Sequence, residues 1–306
     1  MNQQKSKKKN LHGIVLLDKP VGLSSNIALQ KVKRMLRAKK AGHTGSLDPL
    51  ATGLLVICLG EATKISAYLL DADKRYLTTF KLGETTETGD AEGDILEKKD
   101  VTEAMKARIP EVIEQFMGEI EQIPPMYSAI KHKGQPLYKL ARAGEEVERK
   151  PRTVKIHEMT LIKVEGDEVT LDIRCSKGTY IRTLAEDMGR ELGCGGHVSM
   201  LRRTGLGPFT TEGMVTLDEL YAAKDQPEVL KNMILPIETA LSDWPDVNLN
   251  ADTAYYLQQG QAVQVPQAPT QGWVRIYAGE HDFLGIGHIT DDGRVAPKRL
   301  VNIQNI

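Results

Sequence analysis

The chain has 306 residues, of which 41% are apolar and 26% charged, with a formal net charge of −1. That length suggests about two domains with room for a real core, and the near-neutral balance excludes a protein that is basic over its whole surface. Three scattered cysteines (Cys58, Cys175, Cys194) exclude a disulfide framework and a paired CxxC metal knuckle. No run reaches the roughly 18 apolar residues of a membrane span, so a cytoplasmic protein without membrane attachment is expected.

In chain order, residues 1–10 (MNQQKSKKKN) read as a flexible basic tail, with no apolar stretch behind it to make a signal peptide. LHGIVLLD (11–18) is a short buried strand. KPVGLSS follows with turn chemistry, and Ser24 or Ser25 can cap a helix. Ile27, Val32, Met35 and Leu36 give that helix an apolar face, with Lys31, Arg34 and Arg37 on its polar side. Residues 19–47 hold seven Lys/Arg and no acid, so a cationic helix leads into AGHTGSLDPLATGLL (41–55), a glycine-rich loop with the single carboxylate Asp48. LLVICL (54–59) and the alternating stretch 74–82 are strands. Residues 85–93 are a loop inside a segment, 84–94, that carries five acids. A helix is predicted over 101–117, and residues 124–152 read as a polar, basic insertion with one short helix.

The clean alternation of Val169, Leu171, Ile173 and Cys175 predicts a half-buried strand. SKGTY turns the chain, and Ile181, Leu184, Ala185, Met188 and Leu192 then recur at helical spacing. Arg182 thus falls at a strand-to-helix junction, where active-site groups often sit. Composition breaks near 242–248. Beyond it GQAVQVP, GWVRIYAG and FLGIGHI read as short strands, the last opening a hairpin at Asp291-Asp292-Gly293. A unit of about 60 residues is small for independent folding and should dock on the main body.

The residues narrow the chemistry. The seven histidines show no HxH or HExxH spacing, no GxGxxG or P-loop follows a strand, and no GxSxG elbow occurs. Neither metal nor cofactor is expected. Asp48-Pro49 alone would be a turn starter. With flanking glycines for close backbone approach and cationic clusters on either side, it becomes a candidate reactive carboxylate beside a polyanion. Such an acid needs a cationic partner, and a bidentate arginine would hold it ionised and oriented. Taken singly, Arg182 could be a surface ion pair, Leu201 a core leucine and Tyr76 a core aromatic.

Several segments act jointly. AGHTGSLDPLATGLL with the upstream DKPVGLSS closely resembles the signature of the TruB family of tRNA pseudouridine synthases. KRYLTTFKLGETTETGDAEG, GTYIRTLAEDMG and HVSMLRRTGLGPF are similar to that family's further motifs, in the right order, and PPMYSAIKHKGQPLYKLARAG to its RNA-gripping insertion. The last 60 residues resemble its small β-rich module of PUA type. The resemblance implies an α+β fold: a catalytic domain (11–245) with a mainly antiparallel mixed sheet and an insertion at about 124–152, then a PUA-like RNA-binding module (246–306). It implies isomerisation of the T-loop uridine at tRNA position 55 to pseudouridine by base flipping, with the tRNA T-arm as partner and no obligatory protein partner. Asp48 would start the reaction, either attacking the ribose or taking a ribose proton. Arg182 would pair with Asp48. Tyr76 would stack on the uracil and could take the C5 proton. Leu201 would pack against the base, Tyr180 would contact the nucleotide, and His43 would hold the loop once the base leaves its stack. The rival readings are an RNA-binding or RNA-folding protein without turnover on the same scaffold, a guide-dependent relative, and a nucleosidic hydrolase.

Overall fold

The computed structural model describes residues 8–302. Residues 1–7 of the predicted basic tail lie outside them. Lys9 belongs to the fold: its backbone donates to the Arg37 carbonyl at 2.8 Å and accepts from Lys39 at 3.1 Å.

Strand β1 (Gly13–Lys19) is buried at all but one position. Helix α1 (Ser25–Met35) begins at Ser24, whose hydroxyl accepts from the Ile27 amide, and it buries Ala28, Leu29 and Val32. Arg37 lies past its end, at φ 54°, off the helical face predicted for it. The chain continues through β2 (Ala41–His43) and β3 (Thr52–Leu59). Short α2 (Ser66–Asp71) leads to β4 (Lys74–Leu82), and the acidic loop is the turn of a small hairpin, β5 (Glu84–Thr86) and β6 (Ile95–Lys98). The helix predicted over 101–117 is two, α3 (Glu103–Ala107) and α4 (Ile109–Gln115). Pro110 lacks the amide that would carry the first helix onward, and it starts the second.

Next come β7 (Gly118–Gln122) and the insertion, which holds a two-residue hairpin, β8 (Lys131–His132) with β9 (Gln135–Pro136), and helix α5 (Leu137–Arg142). The long β10 (Arg152–Glu165) and β11 (Glu168–Cys175) follow. Amphipathic α6 (Ile181–Leu192) ends on Gly193 in the left-handed region, φ 90°. Then come β12 (Gly196–Leu206), α7 (Leu217–Ala223) with a Thr216/Glu219 capping box, and α8 (Pro227–Asn232). The C-terminal part comprises β13 (Asp246–Leu249), α9 (Ala251–Gln258), β14 (Trp273–Ala278), β15 (Asp282–Ile289) and β16 (Val295–Leu300). The strand predicted at GQAVQVP is not formed: Val263 makes one isolated bridge to Val295.

The main sheet has the order β1-β3-β12-β4-β11-β10-β7, with β2 added on β3. Its pairs are antiparallel except β12 with β3, which is parallel and two residues long, Arg202 opposite Thr52 and Arg203 opposite Gly53. On the same edge of β3, residues 57–59 pair with β2 instead. The edge therefore forks, and the loop 44–51 that carries Asp48 springs from the fork. Residues of β3 alternate between two cores. Leu55, Ile57 and Leu59 join the aliphatic cluster under α1, α4 and α6, whereas Leu54, Val56 and Cys58 face a second cluster. That second cluster includes Tyr277, Phe283 and Ile286, so the small C-terminal sheet (β13-β14-β15-β16) packs on the back of the main one. The architecture is α+β, a mixed, mostly antiparallel sheet with helices followed by a small β-rich module.

Candidate active site

The loop with Asp48 is anchored from several directions. Ser25 is not the helix cap. Its hydroxyl donates to the Leu47 carbonyl (3.1 Å) and accepts from the Leu47 amide (2.7 Å). The Gly22 amide donates to the Pro49 carbonyl at 2.8 Å. Glu92, from the acidic loop, accepts from the Leu50 amide at 3.3 Å. Lys19, with no exposed surface, donates to the carbonyls of Pro20 (2.9 Å), Leu23 (2.5 Å) and Pro49 (3.4 Å). Burial pulls its ammonium down to about 8, against the attraction of Asp48 and Glu92.

Arg182 is brought to the loop by α6. Gln122 of β7 grips the backbone just ahead of that helix, accepting from the Tyr180 amide (3.0 Å) and donating to the Tyr180 carbonyl (3.2 Å). The Arg182 side chain, only 6% exposed, places Nε 3.0 Å from Asp48 Oδ2 and 3.7 Å from Asp90 Oδ2. Its other two nitrogens donate to the Thr88 carbonyl (2.8 Å) and the Tyr127 carbonyl (2.7 Å). Each part of the planar fork is committed, so the guanidinium is fixed in direction as well as position. Asp48 is 43% exposed at the mouth of the site. The surrounding protein pushes its carboxyl above the ordinary carboxylate value by desolvation, and Asp90 pushes the same way; Arg182 and Lys19 oppose both.

Asp90, Gln122 and Arg203 were not among the residues expected at the site. Asp90 lay among five acids with nothing to distinguish it. In the structure its side chain is 5% exposed and accepts from the Thr88 hydroxyl (2.5 Å) and the Glu92 amide (3.1 Å). Arg203, 1% exposed, donates to the Leu54 carbonyl (2.7 Å) and the Gly45 carbonyl (3.2 Å). The first of these fills the fork of β3, where no strand covers Leu54, while the Thr44 amide covers Val56 at 3.1 Å. The signal for Arg203 was its place two residues after Leu201, on the same face of a strand.

Tyr76 and Arg203 are direct cross-strand partners in β4 and β12, and Leu201 lies opposite Thr78 on the same face. Burial pushes the Tyr76 phenol up, and the Arg203 cation beside it pulls it back. Tyr180 stands half-buried at the N-cap of α6, two residues before Arg182, its phenol also raised by burial. His43, in β2, is pulled below the usual imidazole value by burial and by Arg203, and its Nδ1 has no partner. Both causes favour the neutral imidazole. The predicted residues thus fall on adjacent elements: Asp48 and Arg182 form an ion pair, Tyr76 and Leu201 share a face with Arg203, and His43 precedes the loop, which Lys19, not among the expected residues, helps to anchor. Lys31, Lys33 and Arg34 ride on α1, ahead of the same loop. Among the described residues no cluster of His, Cys, Asp or Glu is placed to hold a metal ion, and no helix is long and apolar enough to cross a membrane.

Three family models match in succession: "TruB family pseudouridylate synthase (N terminal domain)" over 33–181, "tRNA pseudouridylate synthase B C-terminal domain" over 182–242, and "Pseudouridine synthase II TruB, C-terminal" over 245–301. The tRNA pseudouridine synthase B of Nitrosococcus oceani is 56% identical over 304 residues, covering 99% of each chain. That of Pseudomonas putida strain F1 is 54% identical over 303 residues, covering 98% of this chain and 99% of the other. Among solved structures, a chain of a Cbf5-Nop10-Gar1 complex superposes with TM-score 0.72 at 28% identity, over 95% of this chain and 84% of that one. A chain of an H/ACA RNP bound to a substrate RNA gives 0.73 at 24% identity, over 99% and 94%, a likeness of fold. The chain belongs to the TruB family of pseudouridylate synthases.

Proposed function

We propose that the chain isomerises the T-loop uridine at tRNA position 55 to pseudouridine, with Asp48 as the group that starts the reaction. The activity of a tRNA pseudouridine synthase follows from the family and from relatives 53–56% identical over nearly the whole chain. The observation that carries the site reading is the Asp48–Arg182 pair at 3.0 Å, set in a loop tied down on both sides. The glycosidic bond from N1 breaks, the uracil turns, and C5 bonds the same ribose carbon. C5 loses a proton and N1 gains one, so nothing enters or leaves overall. Arg182 holds Asp48 oriented. The Tyr76 ring receives the base, with its hydroxyl available for the C5 proton, and Leu201 packs on the base. Tyr180 and His43 line the approach.

A uridine in a folded loop reaches Asp48 only if it is flipped, at a cost of a few kcal/mol in lost stacking. Phosphate contacts from the cationic segments would offset that cost. The same reading makes residues 11–245 the catalytic unit and 246–306 an RNA-binding module. It also has the protein act in the cytoplasm on the tRNA T-arm without an obligatory protein partner.

The test is pseudouridine formation in a T-arm hairpin by the purified chain and by Asp48→Asn. Turnover by the wild type alone, with RNA binding kept in both, is the expected result. Equal turnover would remove Asp48 from the mechanism, and tight binding with no turnover in either would favour an RNA-binding protein.

A further inference from the structure

Arg203 carries a charge that its backbone contacts do not explain. The carbonyls of Leu54 and Gly45, at 2.7 and 3.2 Å, would be served as well by a neutral donor. A buried cation without a counterion is costly, yet no carboxylate among the described residues lies within 4 Å of this one. The Arg203 charge also bears on two further buried ammonium groups, Lys19 of β1 and Lys74 of β4, and on the imidazole of His43 in β2. What favours the Arg203 cation is the Tyr76 phenol, through charge and through a hydrogen bond. Tyr76 faces it directly across β4 and β12 and is 8% exposed.

We infer that Arg203 is a positioning residue for the proton shift that ends the isomerisation, orienting the Tyr76 hydroxyl and acting as counterion to the phenolate that Tyr76 becomes partway through it. The inference rests on the reading of Tyr76 as acceptor of the C5 proton. Once C5 has bonded the ribose carbon it still carries its hydrogen, and N1 is an imine nitrogen. The C5–H bond then breaks and its electron pair forms the C5–C6 double bond. The pair of the C6–N1 double bond moves to N1, which gains a proton. A neutral phenol cannot take the C5 proton as it stands. It serves both ends by giving its own proton to N1 and taking the one from C5, and between the two transfers it is a phenolate. Burial disfavours that anion, and Cys175 of β11 and Asp48 push the same way. A fixed cation on the same face of the sheet offsets the cost without touching the substrate. Lys19 and Lys74 are committed elsewhere, Lys19 to the carbonyls of Pro20, Leu23 and Pro49, Lys74 to those of Leu70 (2.7 Å) and Ala72 (2.6 Å).

The experiment is single-turnover conversion of a T-arm hairpin whose target uridine carries hydrogen or deuterium at C5. The full-length wild type is compared with Tyr76→Phe, Arg203→Lys, Arg203→Gln and the double variant Tyr76→Phe/Arg203→Gln. Lysine keeps the cation, and glutamine keeps a donor for the carbonyls without it. Arg203→Gln should lose about tenfold or more in rate and show a larger deuterium isotope effect than the wild type. Arg203→Lys should recover most of that loss, and the double variant should be no slower than Tyr76→Phe. A wild-type rate and isotope effect in Arg203→Gln, or equal losses with lysine and glutamine, would overturn the inference and leave the part of Tyr76 intact. Full turnover by Tyr76→Phe would instead remove the reading beneath it. A second measurement leaves Arg203 in place: Tyr76 is replaced by singly and doubly ring-fluorinated tyrosine, more acidic phenols of nearly the same shape. A rate or isotope effect that follows the acidity is expected. One indifferent to it would mean that no phenolate forms and that Arg203 has no anion to hold.

Discussion

Arg182→Lys isolates the geometry of the central pair from its charge. The guanidinium serves Asp48, Thr88 and Tyr127 in one plane at 3.0, 2.8 and 2.7 Å. An ammonium is a point charge on a shorter head and cannot reach all three from the same stem. The two carbonyls would hold it, and Asp48 would lose its directed contact. A hydrogen bond to a charged group is worth about 1.5–3 kcal/mol, which corresponds to roughly 10- to 150-fold in rate. That loss should fall on kcat, because the partners of Arg182 are all within the protein. The assay is single-turnover pseudouridine formation with saturating enzyme, with RNA affinity measured separately by filter binding. Removing the cation in Arg182→Met goes further. Arg182 is the largest influence opposing desolvation at Asp48, so the carboxyl rises and the acid limb of the pH–rate profile moves to higher pH. Asp90, 5% exposed, is also left without its cation, and a broken buried pair costs about 3–5 kcal/mol of stability. Wild-type kcat in Arg182→Lys, or a loss confined to KM, would refute the reasoning.

Other outcomes follow from the same geometry. Tyr76→Phe should keep RNA affinity and lose about 100-fold or more in kcat, the usual share of a positioned acid or base. Full turnover would leave Tyr76 with a stacking role only. Gly53→Ala puts a Cβ 2.3 Å from the Arg203 carbonyl oxygen at φ 90°, and overpacking with left-handed strain should cost about 2–4 kcal/mol, read as a lower urea midpoint. Lys19 and Lys74 are buried, and both are lowered from 10.5 to about 8. Between those values the unfolded chain holds more protons, so each penalty is present below pH 8 and is relieved as pH rises toward 10.5. Melting of the wild type against Lys19→Met should show that relief, about 3 kcal/mol at most, and parallel curves would contradict it. Replacing Lys31 and Arg34 by Gln should flatten the salt dependence of tRNA binding by about one unit of slope per cation.

Legibility in the sequence varied with the kind of signal. Buried strands such as β1 and β3 and the amphipathic α6 were plain, because one physical demand, burial, writes their pattern. Strand β10 was not read, since Glu158, Lys163 and Glu165 interrupt any alternation along its exposed outer half. Helix α9 was hidden in a segment read as strands. Its cap, Asn250, accepting from the Thr253 amide at 2.9 Å, was the local sign of it. Asp48 and Arg182 stood out through the resemblance of whole motifs. Asp90 and Gln122 act only through contacts between distant segments, to Arg182 and to Tyr180, and no spacing within their own stretches encodes such contacts. Arg203 is the intermediate case: its strand face was readable, but its duty to the Leu54 carbonyl exists only because the sheet forks.

That fork gives the main sheet two jaws. One jaw is the three-stranded piece β1-β3-β2 with the Asp48 loop, and the other carries Tyr76 and Leu201 on β4 and β12. Within the sheet they share a joint two residues long. Across it run three arginine braces: Arg203 to Leu54 and Gly45, Arg202 to both carboxylate oxygens of Asp18, and Arg182 to Asp48. In-plane flexing of the sheet would gather at so short a joint and would change the gap between the Asp48 carboxylate and the Tyr76 phenol. In the proposed reaction a base must enter, turn over and leave, which needs slack along that line, and the three braces limit it.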